Sequence, residues 1–268
     1  ANVNTITGNA GNDTMSGGAG NDTLIGSAGN DTYLFDADTA LGTDTINEAG
    51  GGTDLLDFSS TTTQAVTVNL GLATAQAINS NLTLVLGSAT TIENVTGTSL
   101  DDNLIGNASA NILTAGDGAD ILIGLAGNDT LNGGNGNDIY RFNTGTALGT
   151  DTLIDATGVD LLDFTQSTTL GASVNLALAT SQVVNSNLTL VLGSATAFEN
   201  IDGTSLNDIF TANSADNLLR GGAGNDSYRF NANTALGTDT IDEAGGGVDT
   251  IDFTTTTTVA VTVNLDLN

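Results

Sequence analysis

A nine-residue pattern recurs along the chain and constrains its fold more than any other feature. Three copies fit G-G-x-G-x-D-x-U-x without exception, where U is an apolar residue: 17–25, 133–141 and 221–229. Eight further copies begin at Gly8, Gly26, Gly97, Gly106, Ala115, Gly124, Gly203 and Ala212. Across these eleven copies the eighth position is always apolar, and the sixth is Asp in nine, with Asn111 and Asn217 as the exceptions. Such repeats predict a solenoid, because one turn and strand cannot bury its own apolar face and must stack on its neighbours.

A longer repeat of 106 residues contains the short one, since the segment NSNLTLVLGSAT occurs at 79–90 and again at 185–196. The motif ALGTDT occurs at Ala40, Ala147 and Ala235, and the second spacing is 18 residues, or two nonapeptides, short of the long period. Only a whole coil can be lost without a change of register. We therefore predict that two nonapeptides form one coil.

These repeats divide the chain into three predicted units. Their boundaries are 1–96 for unit 1, 97–202 for unit 2 and 203–268 for a truncated unit 3. The nonapeptides occupy 8–34, 97–141 and 203–229, and Thr-rich segments follow at 35–96, 142–202 and 230–268. The Thr-rich segments alternate apolar and polar residues, which predicts strands that form wider coils of the same solenoid. Partial repeats at both ends indicate a piece of a longer array.

The charge composition excludes several classes of partner and site. The chain has 31 acidic and three basic residues, no His, no Cys, and a formal net charge of −28. Nucleic acids and anionic membranes are poor partners for it, because both need Lys or Arg to neutralise them. Without thiols or imidazoles, only oxygen atoms remain as metal ligands, and these prefer Ca²⁺ or Mg²⁺. No apolar run approaches the roughly 20 residues of a membrane-spanning helix, so we expect no membrane insertion.

The residue types of the nonapeptide suit a calcium site. Glycine adopts positive φ without a steric penalty, so G-G-x-G allows several carbonyl oxygens to converge on one point. The sixth-position Asp adds a carboxylate, and six to eight oxygens at about 2.3–2.6 Å suit Ca²⁺ better than the octahedral Mg²⁺. The triplet x-U-x then directs one apolar side chain inward per half-coil, which predicts a thin stacked core.

The eleven nonapeptides resemble those of the repeats-in-toxin (RTX) family of secreted bacterial proteins. The resemblance implies an all-β fold, a parallel β-roll or β-solenoid, in which six residues form a turn and three form a short strand. It also implies that calcium lies between turns n and n+2 on the same edge, bound by turn carbonyls and the sixth-position Asp. Members of the family leave the cell unfolded through a one-step (type I) export channel and fold outside.

The same pattern extends into enlarged turns after each nonapeptide block. In unit 1, Asp44 and Asp54 take the sixth position, and Ile46 and Leu56 take the eighth. The equivalents are Asp151 with Leu153, Asp160 with Leu162, Asp239 with Ile241, and Asp249 with Ile251. The first step, from the last nonapeptide Asp, is 13 residues in all three units. We infer that the roll continues through these segments.

The predicted calcium ligands are the sixth-position Asp residues and the turn glycines. The Asp residues are Asp13, Asp22, Asp31, Asp44, Asp54, Asp120, Asp129, Asp138, Asp151, Asp160, Asp226, Asp239 and Asp249. The glycines are Gly18, Gly20, Gly29, Gly118, Gly127, Gly134, Gly136, Gly222 and Gly224. Asp102 and Asp208 are weaker candidates, because their turns carry leucine in place of the fourth-position glycine.

Counting alternate turns also predicts which of these Asp residues share an edge. The predicted pairs are Asp13 with Asp31, Asp22 with Asp44, Asp31 with Asp54, Asp102 with Asp120, Asp120 with Asp138, Asp129 with Asp151, Asp138 with Asp160, Asp208 with Asp226, and Asp226 with Asp249.

Simpler interpretations compete for some of these residues. A turn Asp also caps its own backbone, which is the alternative to calcium ligation at every sixth position. The acidic residues after the inward position are interpreted as solvated turn residues: Asp57, Asp163 and Asp252. The three tyrosines, Tyr33, Tyr140 and Tyr228, occupy the inward eighth position and are predicted to lie in the core.

The sequence predicts a non-catalytic, calcium-binding structural segment of an extracellular bacterial protein, such as a surface layer, matrix fibre or adhesin stalk. Carboxylate pairs such as Asp54 and Asp57 recur with the repeat, so turn chemistry explains them without catalysis. Carboxylates in neighbouring turns repel each other, so folding should require extracellular calcium. Copies of the chain are expected to associate end to end or laterally. Two rival hypotheses are the export and folding module of a secreted enzyme or toxin, and a lone calcium buffer or sensor.

Overall fold

The chain is built almost entirely from short parallel strands. A computed structural model describes residues 2–48 and 50–263, which form 26 strands and no α-helix. Accordingly, none of these residues belongs to a helix long and apolar enough to cross a membrane. The all-β solenoid predicted from the repeats is confirmed.

The strands follow the repeats in order. Residues 2–96 contain β1 (Thr5–Thr7), β2 (Thr14–Met15), β3 (Thr23–Ile25), β4 (Thr32–Leu34), β5 (Gly42–Asn47), β6 (Leu55–Asp57), β7 (Thr67–Asn69), β8 (Gln76–Ala77), β9 (Leu82–Leu86) and β10 (Asn94–Thr96). Residues 97–202 contain β11 (Asn103–Ile105), β12 (Ile112–Asp117), β13 (Ile121–Ile123), β14 (Thr130–Asn135), β15 (Ile139–Arg141), β16 (Gly149–Ile154), β17 (Leu161–Asp163), β18 (Ser173–Asn175), β19 (Gln182–Asn185), β20 (Leu188–Leu192) and β21 (Asn200–Asp202). Residues 203–263 contain β22 (Ile209–Thr211), β23 (Leu218–Arg220), β24 (Ser227–Arg229), β25 (Thr240–Asp242) and β26 (Thr250–Asp252).

Successive nonapeptide strands lie on opposite sides of a flattened roll. On one side β1, β3 and β5 pair in order, and on the other β2, β4, β6, β10, β12, β14 and β16 pair in order. Within the nonapeptide blocks each residue pairs with one 18 positions away, as Leu113 does with Leu131 and Leu104 with Leu122. One coil therefore consists of two nonapeptides, as predicted.

The core is a column of eighth-position side chains. All eleven are between 0 % and 4 % exposed: Met15, Leu24, Tyr33, Leu104, Leu113, Leu122, Leu131, Tyr140, Phe210, Leu219 and Tyr228. Their strands alternate side chains across the sheet, so the central residue points inward and its two neighbours point outward. The same holds for the enlarged turns, where Ile46, Leu56, Leu153 and Leu162 are buried.

The inward eighth-position residues of the last described coil are less buried than those of the other coils. Ile251 is 38 % exposed, and Ile241 is only partly buried. Their strands, β26 and β25, are the terminal strands of their sheets in the described part of the chain. A solenoid buries the inward residue of each strand between its two neighbours, so a strand with one neighbour leaves that residue half uncovered.

The first two Thr-rich segments form wider coils of the same roll, as predicted, and each contains a chain reversal that the repeats do not specify. Strand β5 pairs with β9, β9 pairs with β8 in antiparallel fashion, and β7 pairs with β11. After β7 the chain forms the antiparallel hairpin of β8 and β9. In this hairpin β9 is the strand that pairs with β5. The reversal is a turn at 79–82, in which the Asn79 side chain accepts hydrogen bonds from the N–H groups of Asn81 and Leu82.

The second Thr-rich segment repeats this reversal on the other side of the roll. Strand β16 pairs with β20, β20 is antiparallel to β19, and β18 pairs with β22. Strands β9 and β20 have the same sequence, yet β9 belongs to the sheet of β5 and β20 to the sheet of β14 and β16. The difference arises because β5 and β16, on which the two reversals stack, belong to different sheets.

Candidate metal sites

The sixth-position Asp residues stack along the two edges of the roll. In nine cases the backbone N–H of one Asp donates to a carboxylate oxygen of the Asp one coil further on, at distances of 2.7–3.1 Å. These contacts join Asp13 to Asp31, Asp22 to Asp44, Asp31 to Asp54, Asp102 to Asp120, Asp120 to Asp138, Asp129 to Asp151, Asp138 to Asp160, Asp208 to Asp226, and Asp226 to Asp249. All nine predicted edge pairs are confirmed. The remaining candidate, Asp239, accepts from the N–H of Asn217 at 3.1 Å.

One oxygen of many of these carboxylates has no hydrogen-bond partner among the described residues. The atoms concerned are the Oδ2 atoms of Asp22, Asp31, Asp44, Asp120, Asp129, Asp138 and Asp226, whose residues are at most 2 % exposed. A buried anionic oxygen without a donor carries a large desolvation cost unless a cation binds it. The donor set is entirely oxygen, which is the set that Ca²⁺ prefers.

The turn glycines have the backbone conformation that the pattern predicts. All nine predicted glycines have positive φ: Gly18, Gly20, Gly29, Gly118, Gly127, Gly134, Gly136, Gly222 and Gly224. Seven copies place a different residue at the second position, and two of these residues, Ser27 and Leu125, still adopt φ values of 81° and 70°. A left-handed non-glycine residue is strained, so at these two turns the stacked neighbours impose a geometry that the residue does not favour.

The chain's three cations do not neutralise these edges, because they are engaged on the sheet faces. Arg141 pairs with Asp163 at 2.8 Å, and Arg229 pairs with Asp252 at 3.5 Å. Arg220 lies 2.9 Å from Asp202 and 3.2 Å from Asp242.

The expectation of solvated turn residues after the inward position needs correction. Asp163 is 6 % exposed and bound to Arg141, and Asp252 is bound to Arg229. Asp57 accepts from the N–H of Ser59 and is a turn cap. The arginines occupy the ninth position and face outward, where the acidic residue of the next strand in the same sheet meets them.

Burial raises the pKa of several edge carboxyls, among them Asp44, Asp120, Asp129 and Asp151. Desolvation is the main cause, and it raises the pKa of Asp44 and Asp129 to about 6 and that of Asp120 and Asp151 to about 7. The backbone N–H of the paired residue opposes the shift, and the charges of neighbouring Asp residues add to it at Asp120. In the absence of a cation, these four carboxyls therefore take up protons as the pH falls through about 7 to about 6.

This shift predicts how the stability of the calcium-free chain depends on pH. The folded-state pKa values lie above the value of about 3.9 for Asp in an unfolded chain, so the folded chain binds more protons. Stability should therefore fall as the pH rises from about 5 to about 8. Thermal unfolding in calcium-depleted buffer, followed by circular dichroism above the isoelectric point of 4.1, measures this trend. With saturating calcium the trend should weaken or reverse, since the ion displaces the protons. A calcium-free midpoint that is constant across this range would contradict the expectation.

In the turns of Asp102 and Asp208, which lack the fourth-position glycine, backbone N–H groups donate to the carboxylate. Asp102 accepts from the N–H groups of Thr98 and Val66, at 2.5 and 2.7 Å. Asp208 makes the equivalent contacts with Thr204 and Ala172. Both carboxylates are saturated by protein donors, which supports their lower rank as ligands. At the two exceptions, Asn111 and Asn217, the amide accepts a hydrogen bond from its own turn and donates another to a neighbouring carbonyl.

The structure adds acidic residues that the nonapeptide pattern missed. Glu48, Asp155 and Glu243 each join two paired edge Asp residues, forming the clusters Asp31–Glu48–Asp54, Asp138–Asp155–Asp160 and Asp226–Glu243–Asp249. In each cluster three carboxylate oxygens lie within 4.8 Å of one another. The sequence does contain a signal for them. The inward residue follows ALGTDT directly in all three units, and the extra acidic residue comes two positions after it. It falls outside the nine-residue template.

Two further glutamates end the edge stacks. Glu93 Oε2 accepts from the N–H of Asp54, and Glu199 Oε2 accepts from the N–H of Asp160, both at 2.9 Å. They occupy the place that a further sixth-position Asp would take.

Comparison with known families agrees with this arrangement. The family model of the RTX calcium-binding nonapeptide repeat matches residues 1–33, 96–131, 114–146 and 202–233, which lie in all three sequence units. No curated protein matches the chain significantly.

Proposed function

Because the repeated segments of this chain are RTX calcium-binding nonapeptide repeats, with calcium as their cofactor, we propose that it is a structural segment stiffened by calcium. We place it in a secreted or cell-surface bacterial protein such as a surface layer, matrix fibre or adhesin stalk. The predicted Asp residues and turn glycines hold the ions, and Asp102 and Asp208 contribute less. Calcium joins each turn to the turn one coil away and so fixes the spacing of the coils.

The observation that carries the proposal is the series of buried, unpartnered carboxylate oxygens along both edges. One cation between successive turns satisfies these oxygens and removes the repulsion that opposes stacking. Sheets of eight and nine strands run through the sequence units without interruption, so the coils stack as one continuous body. A continuous stack with a cation between coils is suited to bear load rather than to turn over a substrate.

A non-catalytic role is part of the proposal. The pair that an enzymatic interpretation would use, Asp54 and Asp57, has two separate tasks. Asp54 accepts from the N–H of Asp31 in the edge stack, whereas Asp57 caps the turn at Ser59. The repeat explains both carboxylates without a reaction.

The export and folding module of a secreted enzyme or toxin remains the second candidate. A roll that folds only in extracellular calcium would serve export equally well, since it stays unfolded inside the cell. The sequence of the whole protein separates the two, because an export module requires a catalytic or pore-forming domain elsewhere in it. A lone buffer or sensor needs far less repeated structure.

Electron microscopy and small-angle scattering in calcium test the structural role. We expect elongated particles that associate end to end or laterally in Ca²⁺, and expanded separate chains in chelator. Mg²⁺ at the same ionic strength is the control and should not reproduce the assemblies, because it prefers a stricter octahedral site. Monodisperse particles that are identical with and without calcium would rule out the fibre role.

A further inference from the structure

The three acidic clusters close the three nonapeptide blocks. Each cluster begins at the sixth-position Asp of the last nonapeptide in its block: Asp31, Asp138 and Asp226. The second member of each cluster is the Asp one coil further on. The third member is the extra acidic residue, which lies between these two Asp residues in the sequence. Oxygens bound to one Ca²⁺ at about 2.3–2.6 Å lie at most about 5 Å apart, so the 4.8 Å limit is compatible with a shared ion.

Each cluster also contains a buried tyrosine hydroxyl. The hydroxyl of Tyr33 donates to Glu48, and Tyr140 Oη lies 2.6 Å from Asp155 Oδ2. Tyr140 Oη also accepts from the N–H of Gly133 and lies 2.8 Å from the carbonyl oxygen of Ile154, so the phenol is fixed beside the extra carboxylate. Tyr228, which is 1 % exposed, has no hydrogen-bond partner for its hydroxyl among the described residues.

The first glycine of each of these nonapeptides leaves the space into which the oxygens converge. A Cβ on Gly26 would collide with Asp31, Glu48 and Tyr33, and a Cβ on Gly221 would collide with Asp226 and Tyr228. The hydroxyl of Tyr228 is therefore aimed into the same space as the carboxylates of its cluster.

Several oxygens of these carboxylates have neither a hydrogen-bond donor nor an arginine beside them among the described residues. Glu48 is 5 % exposed and Asp31 is 1 % exposed, yet Glu48 Oε2 and Asp31 Oδ2 have no hydrogen-bond partner there. The equivalent unpartnered atoms are Asp138 Oδ2 and Asp155 Oδ1 in the second cluster, and Asp226 Oδ2 and both Glu243 oxygens in the third. All three arginines are engaged on the sheet faces.

We propose that each cluster is a distinct, tighter calcium site in which three carboxylates share one ion, with the tyrosine orienting the third carboxylate in the first two clusters. The proposal rests on the proposed function, in that calcium fills the edges of the roll. An edge pair supplies two carboxylates, whereas a cluster supplies three, and calcium affinity rises with the charge and the rigidity of the site. The clusters therefore fill first, one at the end of each nonapeptide block, and organise the adjoining coils for the weaker edge sites.

Terbium luminescence tests this assignment directly. Tb³⁺ takes the oxygen ligands of Ca²⁺ and emits when an excited aromatic residue beside it transfers energy to it. The chain has three tyrosines and no tryptophan, and all three tyrosines lie at the clusters. Tyrosine-sensitised emission should therefore saturate at a lower Tb³⁺ concentration than the folding signal in circular dichroism. Added Ca²⁺ should displace Tb³⁺ from the clusters and so reduce the emission.

The decisive variant combines Glu48→Gln, Asp155→Asn and Glu243→Gln. It should raise the Tb³⁺ concentration for half-maximal sensitised emission by about tenfold or more, since each ion loses a charged ligand. Each single substitution should weaken only one of the three tyrosine contributions, which keeps the test valid if the triple variant does not fold. The matched control is Asp36→Asn, which removes one exposed carboxylate outside the clusters and should leave the titration unchanged.

The outcomes separate this proposal from the proposed function. An unchanged emission titration in the triple and single variants, with folding still dependent on Ca²⁺, overturns the three-carboxylate sites and leaves the calcium-stiffened roll intact. A wild-type chain that neither folds nor emits in response to either ion overturns both.

Discussion

Removal of calcium at about pH 8, where the edge carboxylates are ionised, is expected to abolish the β-sheet circular dichroism signal of this chain. The net charge is −28, and each three-residue strand of the nonapeptide blocks buries only its central side chain. The edge carboxylates are buried without compensating cations, so their desolvation and mutual repulsion oppose folding until metal binds. Binding to such sites is coupled to folding, and the signal should return cooperatively at about 10⁻⁴ to 10⁻³ M Ca²⁺, the range of extracellular calcium modules.

A titration followed by far-ultraviolet circular dichroism measures this transition. Mg²⁺ at matched ionic strength is the control, and it should restore little signal because it demands octahedral geometry and keeps its waters. A chain that is fully folded in chelator would show that strand stacking alone supports the roll. The acidic edges would then be surface chemistry rather than the cause of folding.

The substitution Gly136→Ala is expected to cost about 3 kcal/mol or more of stability in saturating calcium. Gly136 has φ of 137°, which strains any other residue, and its Cβ would overlap the carbonyl oxygen of Gly118 in the turn one coil before. The strain and the overpacking each contribute about 1–3 kcal/mol. Urea unfolding should show an earlier loss of structure, and hydrogen exchange should localise it to β12, β14 and β16.

The matched control for this prediction is Gly51→Ala. Gly51 also has positive φ, at 73°, but a Cβ there would meet nothing within 4 Å. The substitution should therefore lower the free energy of unfolding only by the cost of placing a Cβ on a left-handed backbone, about 1–2 kcal/mol. Equal losses in the two variants would contradict the close approach of stacked turns and reduce the role of Gly136 to its dihedral angle alone.

The edge pairs could be predicted from sequence because a strict period fixes which turns lie one coil apart. Once two nonapeptides make one coil, the contact of Asp129 with Asp151 follows by counting, even across an enlarged turn. The inward side chains follow equally, since a three-residue strand has only one central residue. Both arguments need nothing beyond local geometry and the repeat.

The order of the Thr-rich strands could not be predicted in this way. Alternating residues identify 82–86 as a strand but do not determine whether it stacks on β5 or on β7. The outcome depends on the side-chain cap of Asn79, which reverses the chain. Glu48 was missed for a related reason, because its contact with Tyr33 is made by an enlarged turn to which the nine-residue template assigns no role.

The opposite placement of the two chain reversals has a consequence for valency. Strands β9 and β20 carry one sequence, yet they lie in the two sheets that face each other across the roll at β5 and β6, so the two reversals face opposite ways. A ligand that recognises the surface of one reversal meets the second copy on the far side of the same rod. A partner with two such binding sites facing one way therefore cannot engage both copies in one molecule, and it would cross-link neighbouring rods instead.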